Sequence, residues 1–363
     1  MSPRMSSQSL SENRHGETPA ELPRLETGQL PAAQPELCPS KAIRQAVCGQ
    51  TSGLTRRAAL ISGTCLMTSF LARVQAADSD PATEPHPWID AHSHIWTPDI
   101  ARFRLRPGAT IDQLVPRSFT DDELMAVAHP EGVGRVVLIQ HYPHHGWDNS
   151  YVIDAWQRHP NRFRIVGMID DTRKDLDQQM RKMLQQGVTG FRIGPREGTS
   201  DWLGTPGMQQ MWKTAAATRQ SMCCLINPED LPAVSAMCGR YPETPVVIDH
   251  FARIGMTGEI AESDLKNLCQ LSEHPQTRVK ISAYYALGKK QPPHEELIPM
   301  IRRLFETFGA DRLMWASDCP YQLNGESTYR SSISLIRDRI DFVSDEERRM
   351  LLQGTAERTF FFI

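Results

Sequence analysis

Residues 88–96 read Trp-Ile-Asp-Ala-His-Ser-His-Ile-Trp, and this stretch decides between the two α/β folds that suit the chain. A short aliphatic run leads directly into His-Ser-His. An open doubly wound sheet normally has a Gly-rich turn after its first strand. Because the sequence has no such turn here, it favours a closed (β/α)8 barrel, in which the side chains for chemistry follow the strands.

Eight such aliphatic or β-branched runs follow one another from residue 88 onward, and helical patterns separate them. The predicted strands are 88–91, 135–140, 164–169, 189–193, 222–226, 245–249, 278–282 and 312–316. The predicted helices are 121–128, 151–159, 175–186, 207–218, 231–239, 263–274 and 295–308, with further helical patterns at 327–340 and 345–358. Eight strand–helix units over residues 88–363 match a (β/α)8 TIM barrel in number and in size.

Local signals mark individual helix boundaries. Thr120 precedes three acidic residues, which predicts a helix N-cap followed by carboxylates that favour the first turn. Pro299 interrupts the pattern at 295–308, because proline lacks the backbone donor that a helix interior needs. We therefore expect either a kink at this position or a helix that begins later than residue 295.

The composition excludes several classes of function. The 363 residues are 40% hydrophobic and 23% charged, which is typical of a globular protein. A formal net charge of -3 provides no broad positive field for nucleic acid, and no apolar run of about 20 residues is present for a membrane span. We expect a small-molecule substrate as the partner, while the sequence predicts no oligomeric state.

The first 77 residues differ in composition from the rest of the chain. Residues 1–50 are rich in Ser, Pro, Gln and Glu and contain no aromatic residue, which predicts a disordered leader. Residues 51–77 contain Arg56-Arg57, a moderately apolar run and small residues at the end, a pattern that resembles a twin-arginine export signal. We expect export to the periplasm by this route, with a short amphipathic or buried helix in a cytoplasmic protein as the alternative.

Five cysteines lie beyond residue 77, and two of them, Cys223 and Cys224, are adjacent within a predicted strand. An odd number that includes an adjacent pair argues against a disulfide framework. Neither of the adjacent cysteines has a base beside it in the sequence, so we expect buried, unreactive thiols.

Three predicted strands end in residues that suit acid–base or metal chemistry. The first ends at His92 and His94, whose i and i+2 spacing turns both imidazoles to the same side of an extended chain. The sixth ends at His250 and the eighth at Asp318. Because the active sites of TIM barrels lie at the carboxyl ends of the strands, we expect these four side chains to form one catalytic site.

The same stretches resemble the signatures of a known family. They read Ile-Asp-Ala-His-Ser-His-Ile-Trp at 89–96, Val-Ile-Asp-His at 247–250 and Arg-Leu-Met-Trp-Ala-Ser-Asp-Cys-Pro at 312–320. They are similar to the strand-one, strand-six and strand-eight motifs of the amidohydrolase superfamily, above all of its amidohydrolase-2 branch of metal-dependent hydrolases with the TIM-barrel fold. The resemblance implies a hydrolase, since this branch includes lactonases acting on sugar-acid lactones and on lactones of aromatic catabolism.

Two departures from the superfamily pattern concern a metal cofactor. Arg192 stands where many binuclear relatives have a metal-bridging lysine, and residues 222–227 at the fifth strand lack the histidine that completes a mononuclear zinc site. Three protein ligands and water can still hold a catalytic zinc. The candidate ligands of one divalent metal, zinc by preference, are His92, His94 and Asp318, with His250 or Asn227 as poorer contributors. A metal-independent site is the alternative.

Other residues near the strand ends suit an oxygenated substrate. The guanidinium groups of Arg192 and Arg253 fit a carboxylate. Tyr142 and His144 offer flat faces and hydrogen-bonding groups in the loop after the second strand. Surface salt bridges for the arginines and a solvated or metal-binding surface loop for the His144 segment are the alternatives.

These residues together predict the hydrolysis of a small cyclic ester, either a sugar-acid or a dicarboxylate lactone. Asp318 acts as general base on water in this hypothesis, while His92, His94 and His250 polarise the carbonyl directly or through the metal. Two alternatives stay open: a metal-dependent non-oxidative decarboxylase of the same superfamily, and a non-catalytic barrel that binds a sugar acid.

Overall fold

The computed structural model of the protein describes residues 86–195 and 201–363. Eight parallel strands form one sheet in the order β1 to β8, so each strand pairs with the next along the chain. The strands are β1 Trp88–Ser93, β2 Val133–Ile139, β3 Phe163–Gly167, β4 Val188–Ile193, β5 Ser221–Cys224, β6 Val246–Ile248, β7 Thr277–Ile281 and β8 Leu313–Trp315. All eight predicted strands are confirmed, with ends that differ from the prediction by no more than two residues.

The sheet closes between the end of β1 and the residues that follow β8. Ser93 forms a parallel bridge with Cys319. The backbone N–H of His94 donates to the Cys319 carbonyl at 2.7 Å, and the N–H of Asp318 donates to the His92 carbonyl at 2.8 Å. The predicted (β/α)8 TIM barrel is thus confirmed, and its closure places Asp318 beside the two histidines of β1.

Helices follow the strands and surround the barrel. They are α1 Asp121–Ala128, α2 Tyr142–His145, α3 Ser150–Arg158, α4 Leu176–Leu184, α5 Pro206–Thr218, α6 Leu231–Arg240, α7 Glu262–Gln270, α8 Ile298–Phe308, α9 Tyr329–Ser334, α10 Asp345–Arg349 and α11 Thr355–Phe360. The segments Leu335–Arg339 and Met350–Gly354 are π-helical. Among the described helices, none combines the length and the apolar character that crossing a membrane requires.

The helix boundaries follow the local signals in the sequence. The Thr120 hydroxyl accepts from the Glu123 backbone N–H at 3.2 Å, and the Glu123 carboxylate accepts from the Thr120 N–H at 2.7 Å, which forms a capping box at the start of α1. At the other predicted boundary, α8 begins at Ile298, so Pro299 lies in its first turn, where no backbone donor is needed. The later start of this helix is therefore confirmed.

Apolar side chains fill the barrel interior. The buried interior cluster comprises Ile89, Ala91, Val137, Ile139, Val166, Cys223, Val247, Met314 and Ala316, with Ala356 and Phe360 of α11 packed against them. A larger apolar layer lies between the sheet and the helices. Because water is excluded from the interior, a polar side chain that is buried there must find its partners within the protein.

The five cysteines beyond residue 77 are all buried and free of disulfide bonds. Burial raises the pKa of the Cys223 thiol to about 12 and that of the Cys224 thiol well above its usual value. The expectation of unreactive thiols is consistent with this environment. The predicted disordered leader at 1–50 and the predicted export signal at 51–77 lie outside the described residues.

Candidate active site

The four predicted catalytic side chains meet at the carboxyl end of the barrel. Asp318 Oδ1 lies 3.4 Å from His92 Nε2 and 3.4 Å from His94 Nε2. Asp318 Oδ2 lies 3.8 Å from His250 Nε2. All four residues are buried, with no more than 5% of their surface exposed. One carboxylate is thus surrounded by three imidazoles, as the spacing of the motifs predicts.

The chain reaches this arrangement through unusual backbone conformations. Asp318 has a φ of 60°, and His250, Phe251 and Ala252 have φ values of 54°, 54° and 52°. These left-handed conformations are unfavourable for residues with a Cβ and cost of order 1 kcal/mol or more each. Backbone strain of this kind persists where the surrounding structure holds it, and here it turns two functional side chains into the barrel mouth.

The buried carboxylate of Asp90 connects the two backbone segments that carry the site. It accepts hydrogen bonds from the His92 N–H at 3.0 Å, the Ser317 N–H at 2.8 Å and the Tyr329 hydroxyl at 2.9 Å. The Ser317 hydroxyl also donates to it. Burial raises the pKa of Asp90 to about 6, although these donors oppose the shift. Asp90 therefore links the end of β1 to the segment after β8 and fixes the distance between His92 and Asp318.

The surroundings of Asp318 keep its carboxylate ionised. Burial alone would raise the pKa of Asp318, but the imidazoles of His250, His94 and His92 hold it well below the usual range. The Tyr285 hydroxyl donates to Oδ2 at 2.8 Å, whereas Oδ1 has no hydrogen-bond donor among the described residues. Oδ1 is therefore an unsatisfied acceptor that faces the two imidazoles of β1.

Three charged residues lie directly beneath and beside these imidazoles. Lys280 Nζ is 3.0 Å from Asp249 Oδ1, and Arg192 Nη2 is 3.5 Å from Asp249 Oδ2. Burial opposes the ionisation of Asp249, but Lys280 and His92 hold its pKa well below the usual value. Arg192 also approaches His92 Nε2 at 3.5 Å. Arg192, predicted to face the substrate, lies at the cluster, with part of its charge balanced by Asp249.

Three residues at the site, Lys280, Asp249 and Tyr285, were not predicted from the sequence. The signal for Lys280 is a lysine inside a strand pattern, at 277–281, two residues before Ser282 on the same side of the strand. Ser282 Oγ lies 2.8 Å from His250 Nδ1, so this side of β7 faces the site. Tyr285 carries no comparable signal, because its position depends on the turn that follows β7.

The remaining predicted substrate-binding residues occupy different environments. Arg253 is largely buried and donates from Nη1 to Asn227 Oδ1 at 3.1 Å, and burial together with Arg192 lowers its pKa. His144 is buried, with its ring 4.7 Å from Trp96, so a solvated loop is the wrong interpretation of this segment. Tyr142 is 40% exposed and packs against Trp147 instead of the cluster.

The cluster suits a divalent metal. The candidate ligand atoms of His92, His250 and Asp318 all lie within 4.8 Å of one another. Two ligands at about 2.0 to 2.1 Å from a tetrahedral zinc lie about 3.4 Å apart, the separation found between Asp318 Oδ1 and the Nε2 atoms of His92 and His94. The unsatisfied Oδ1 of Asp318 is an atom that a cation would bind. A His/His/Asp group of this chain can therefore hold a metal.

The structure distinguishes between His250 and Asn227, the two residues predicted to be poorer ligands of the metal. His250 belongs to the compact ligand group, because the left-handed turn at residues 250–252 brings it toward Asp318. Asn227 is engaged elsewhere, since its Oδ1 accepts from Arg253 and its Nδ2 donates to Glu229 at 3.2 Å. His250 is thus the better of the two candidates.

A parallel barrel that places imidazoles and an ionised carboxylate at its strand ends is typical of enzymes that use acid–base or metal chemistry. The chain belongs to the amidohydrolase family, whose model matches residues 89–362. The resemblance in the strand-one, strand-six and strand-eight motifs is thereby confirmed, and the protein is a hydrolase of this family.

Known relatives carry related activities. The chain is similar to an L-fucono-1,5-lactonase from Burkholderia ambifaria, with 29% identity over 239 residues that cover 64% of this chain and 80% of the relative. It is also similar to a 4-sulfomuconolactone hydrolase from Hydrogenophaga intermedia, with 25% identity over 283 residues, or 76% of this chain and 89% of the relative.

A solved structure shares the fold. The crystal structure of an amidohydrolase from Burkholderia multivorans with bound zinc matches with a TM-score of 0.63 and 21% identity, covering 76% of this chain and 99% of that one. A likeness at this identity supports the barrel architecture alone.

Proposed function

We propose that this protein hydrolyses a lactone, with Asp318 as the general base. The observation that carries the proposal is the unsatisfied Oδ1 of an ionised, buried Asp318 at the barrel mouth, facing two imidazoles at 3.4 Å. Two similar proteins are named as lactone hydrolases, one acting on a sugar-acid lactone and the other on a sulfonated muconolactone.

The first step is the addition of water to the ring carbonyl. A water molecule hydrogen-bonded to Asp318 Oδ1 gives its proton to the carboxylate while its oxygen bonds to the carbonyl carbon. The tetrahedral intermediate carries a negative charge on the former carbonyl oxygen. Arg192 lies 3.5 Å from His92 Nε2 and offers a cationic donor for that oxygen.

The second step opens the ring. The bond between the carbonyl carbon and the ring oxygen breaks, and the leaving alkoxide takes the proton that Asp318 holds. The product is a hydroxy acid, and Asp318 returns to its ionised form. The Tyr285 hydroxyl bonded to Oδ2 at 2.8 Å keeps the carboxylate oriented through both steps.

His92, His250 and Asp318, with His94 beside them, are the residues that would hold a divalent metal. When bound, such a metal supplies Lewis-acid polarisation and makes a water more acidic, which would complement a carboxylate whose own basicity is low.

The arginines near the site indicate what charge the lactone carries. Arg253 is a largely buried cation that donates to the neutral amide of Asn227, and the carboxylates of Asp318 and Asp249 act on it only as nearby charges, without a recorded ion pair. Burying a cation is costly, so a ligand anion that pairs with it directly would be stabilised. A carboxylate or sulfonate on the lactone would fill that role, so we propose an anionic lactone in preference to a neutral one.

A pH-indicator assay tests the reaction class. The purified protein would be offered a panel of lactones, some with a carboxylate and some without, before and after treatment with a chelator. We expect acid release from at least one lactone. Tight binding of a sugar acid without turnover of any lactone would instead support a binding barrel, and CO2 release from an aromatic acid would support a decarboxylase.

We further propose that the protein is exported by the twin-arginine route. The paired Arg56-Arg57 followed by a moderately apolar run supports this proposal. Replacing both arginines by lysine should leave the full-length chain in the cytoplasmic fraction of an expressing bacterium. Unchanged periplasmic recovery would contradict it.

A further inference from the structure

A tyrosine hydroxyl at the barrel mouth has no part in the proposed reaction. Tyr321 lies in the turn that follows β8, and its ring is 5.8 Å from that of His94, edge to face. Its hydroxyl oxygen lies 2.5 Å from His141 Nε2. Tyr321 is partly exposed, whereas His141 is buried. The hydroxyl group is therefore held by a buried residue at the edge of the site.

The turn that carries Tyr321 is fixed by buried groups. The backbone N–H of Gln322 donates to the Asp318 carbonyl at 3.3 Å. Gln322 is fully buried, and its side chain donates to the Thr328 carbonyl at 3.1 Å. The ring of Tyr321 also lies 6.2 Å from that of the buried Trp96. The position of Tyr321 is thus set by the same segment that positions Asp318.

The charges of the site act on the Tyr321 hydroxyl. Tyrosine has a usual pKa of about 10 and is neutral at about pH 7. Burial and the carboxylate of Asp318 raise the pKa of Tyr321 further, while the guanidinium of Arg192 opposes the shift. Both charged groups belong to the site, so the hydroxyl lies within their reach. A neutral hydroxyl at this place suits binding more than proton transfer.

The hydrogen bond to His141 does not exhaust the capacity of the Tyr321 hydroxyl. A tyrosine hydroxyl has one proton to donate and lone pairs to accept with. If it donates to His141, its lone pairs are available to a ligand. If His141 donates instead, the tyrosine proton is available. A ligand hydroxyl both donates and accepts, so it fits Tyr321 in either case.

The strand order places Tyr321 across the barrel mouth from the cation proposed to bind the substrate anion. Tyr321 follows β8 and its partner His141 follows β2, the two neighbours of β1 in the closed barrel. Arg253 follows β6, which is four strands from β2 in either direction. A lactone whose anion lies at Arg253 therefore directs its opposite edge toward Tyr321.

We propose that Tyr321, held by His141, determines specificity by binding a hydroxyl group on the lactone ring. The substrate is then a hydroxylated lactone with its anion toward Arg253. Tyr321 binds ground state and transition state alike, so its loss raises KM and leaves kcat nearly unchanged. The effect on KM rests on the proposed lactone hydrolysis, whereas the binding of the hydroxylated ring does not.

Two lactones that differ in their ring hydroxyls test this role. The γ-lactone of glucaric acid carries a carboxylate and ring hydroxyls, and the γ-lactone of α-hydroxyglutaric acid carries the carboxylate without them. We expect Tyr321→Phe to raise KM for the first by about 2- to 12-fold, the range of one neutral hydrogen bond, and to leave KM for the second nearly unchanged. Equal changes for both lactones, or none for either, would overturn the proposal.

The matched control is Tyr241→Phe. The Tyr241 hydroxyl is buried without a hydrogen-bond partner among the described residues. Tyr241 directly follows α6 and precedes β6, so it lies toward the amino end of the barrel, away from the mouth. Its loss should change KM for neither lactone.

Calorimetric titration separates this proposal from the proposed function. Both lactones would be titrated into Asp318→Asn and into the double variant Asp318→Asn with Tyr321→Phe. We expect the double variant to lose affinity for the hydroxylated lactone alone. This contrast without turnover by the unaltered protein would reject the proposed function and support the assignment of Tyr321. Turnover without the contrast, or no binding of the hydroxylated lactone, would overturn that assignment.

The positioning role of His141 has a separate test. His141→Phe removes Nε2 but keeps a ring, and it should weaken the preference for the hydroxylated lactone as much as Tyr321→Phe does. Because the two side chains act through one hydrogen bond, the double variant should show no further loss of that preference. An unchanged preference in His141→Phe, or additive losses in the double variant, would show that His141 does not hold the hydroxyl.

Discussion

Two groups of histidines lie side by side at the barrel mouth, and their surroundings differ. The strand-end cluster, defined as His92, His94 and His250, surrounds the carboxylate of Asp318. The loop cluster, defined as His141, His144 and His145, follows β2 and packs among rings, with His141 and His144 at 4.1 Å between centroids. The same residue type thus occurs once beside an anion and once in an aromatic setting.

The histidines of the loop cluster contact aromatic rings and hydrogen-bonding groups of the protein. His144 lies edge to face against Trp96 at 4.7 Å, His145 Nδ1 lies 3.0 Å from the carbonyl oxygen of Arg104, and His141 Nε2 lies 2.5 Å from the Tyr321 hydroxyl. Burial lowers the pKa of His144 to about 3 and that of His141 well below its usual value. Both clusters contain three histidines, but only the strand-end cluster surrounds a carboxylate. The comparison therefore indicates that the carboxylate identifies the catalytic site, and that a group of imidazoles alone does not.

The largest effect is expected from the carboxylate itself. Asp318→Asn removes the base but suits the left-handed backbone at φ 60°, which asparagine tolerates well. We expect kcat for lactone opening to fall by about 10² to 10⁴-fold, the usual contribution of a general base, with an unchanged circular dichroism spectrum. Asp338→Asn, which alters an exposed carboxylate paired with Arg337, is the matched control. Near-normal turnover by Asp318→Asn would refute the role of Asp318.

A smaller and selective effect is expected at Arg253. Arg253→Gln removes the charge opposite a substrate anion, and a hydrogen bond to a charged group contributes about 1.5 to 3 kcal/mol. KM for an anionic lactone should rise by about 10- to 100-fold, while KM for a neutral lactone changes little. Equal losses for both lactones in steady-state assays would show that Arg253 does not select for charge.

The smallest catalytic effect is expected in the loop cluster. His144→Phe keeps the edge-to-face contact with Trp96 and should leave kcat within about threefold, because no carboxylate is paired with His144 among the described residues. A loss comparable to that of Asp318→Asn would abolish the distinction between the two clusters.

The same variant has a consequence for stability at low pH. The folded protein keeps His144 neutral down to about pH 3, whereas an unfolded histidine takes up a proton below about pH 6.5. The free energy of unfolding should therefore fall as the pH drops from 6.5 toward 3, by up to about 1.4 kcal/mol per pH unit for this group. Urea titrations at a series of pH values should show a shallower decline for His144→Phe than for the wild type, and an equal decline would contradict this role of His144.

Much of this site can be predicted from the sequence, because in a TIM barrel the residues that follow each strand lie at the same end of the barrel. Residues at the carboxyl ends of the strands lie at the same end of the barrel, so the sequence alone predicts that His92, His94, His250 and Asp318 lie together. The alternation of apolar runs and helical patterns likewise predicts all eight strands.

The contacts that were missed depend on which way a side chain turns inside the barrel. Lys280 and Asp249 meet because β6 and β7 pair in one register, and a strand pattern does not specify that register. Tyr142, predicted to bind the substrate, lies in the one-turn helix Tyr142–His145 and contacts Trp147, a contact that the sequence does not indicate. Short turns of this kind depend on tertiary packing more than on local sequence.

Isotope labelling tests the central claim most directly. An anionic lactone turned over in H2(18)O should yield a hydroxy acid with one 18O atom in its new carboxylate and none in its hydroxyl group, as read by mass spectrometry of the fragments. This outcome is expected if water activated by Asp318 adds to the carbonyl carbon. Label in the hydroxyl oxygen, or no ring opening above the uncatalysed rate for any lactone, would contradict the assignment of this barrel as a lactone hydrolase.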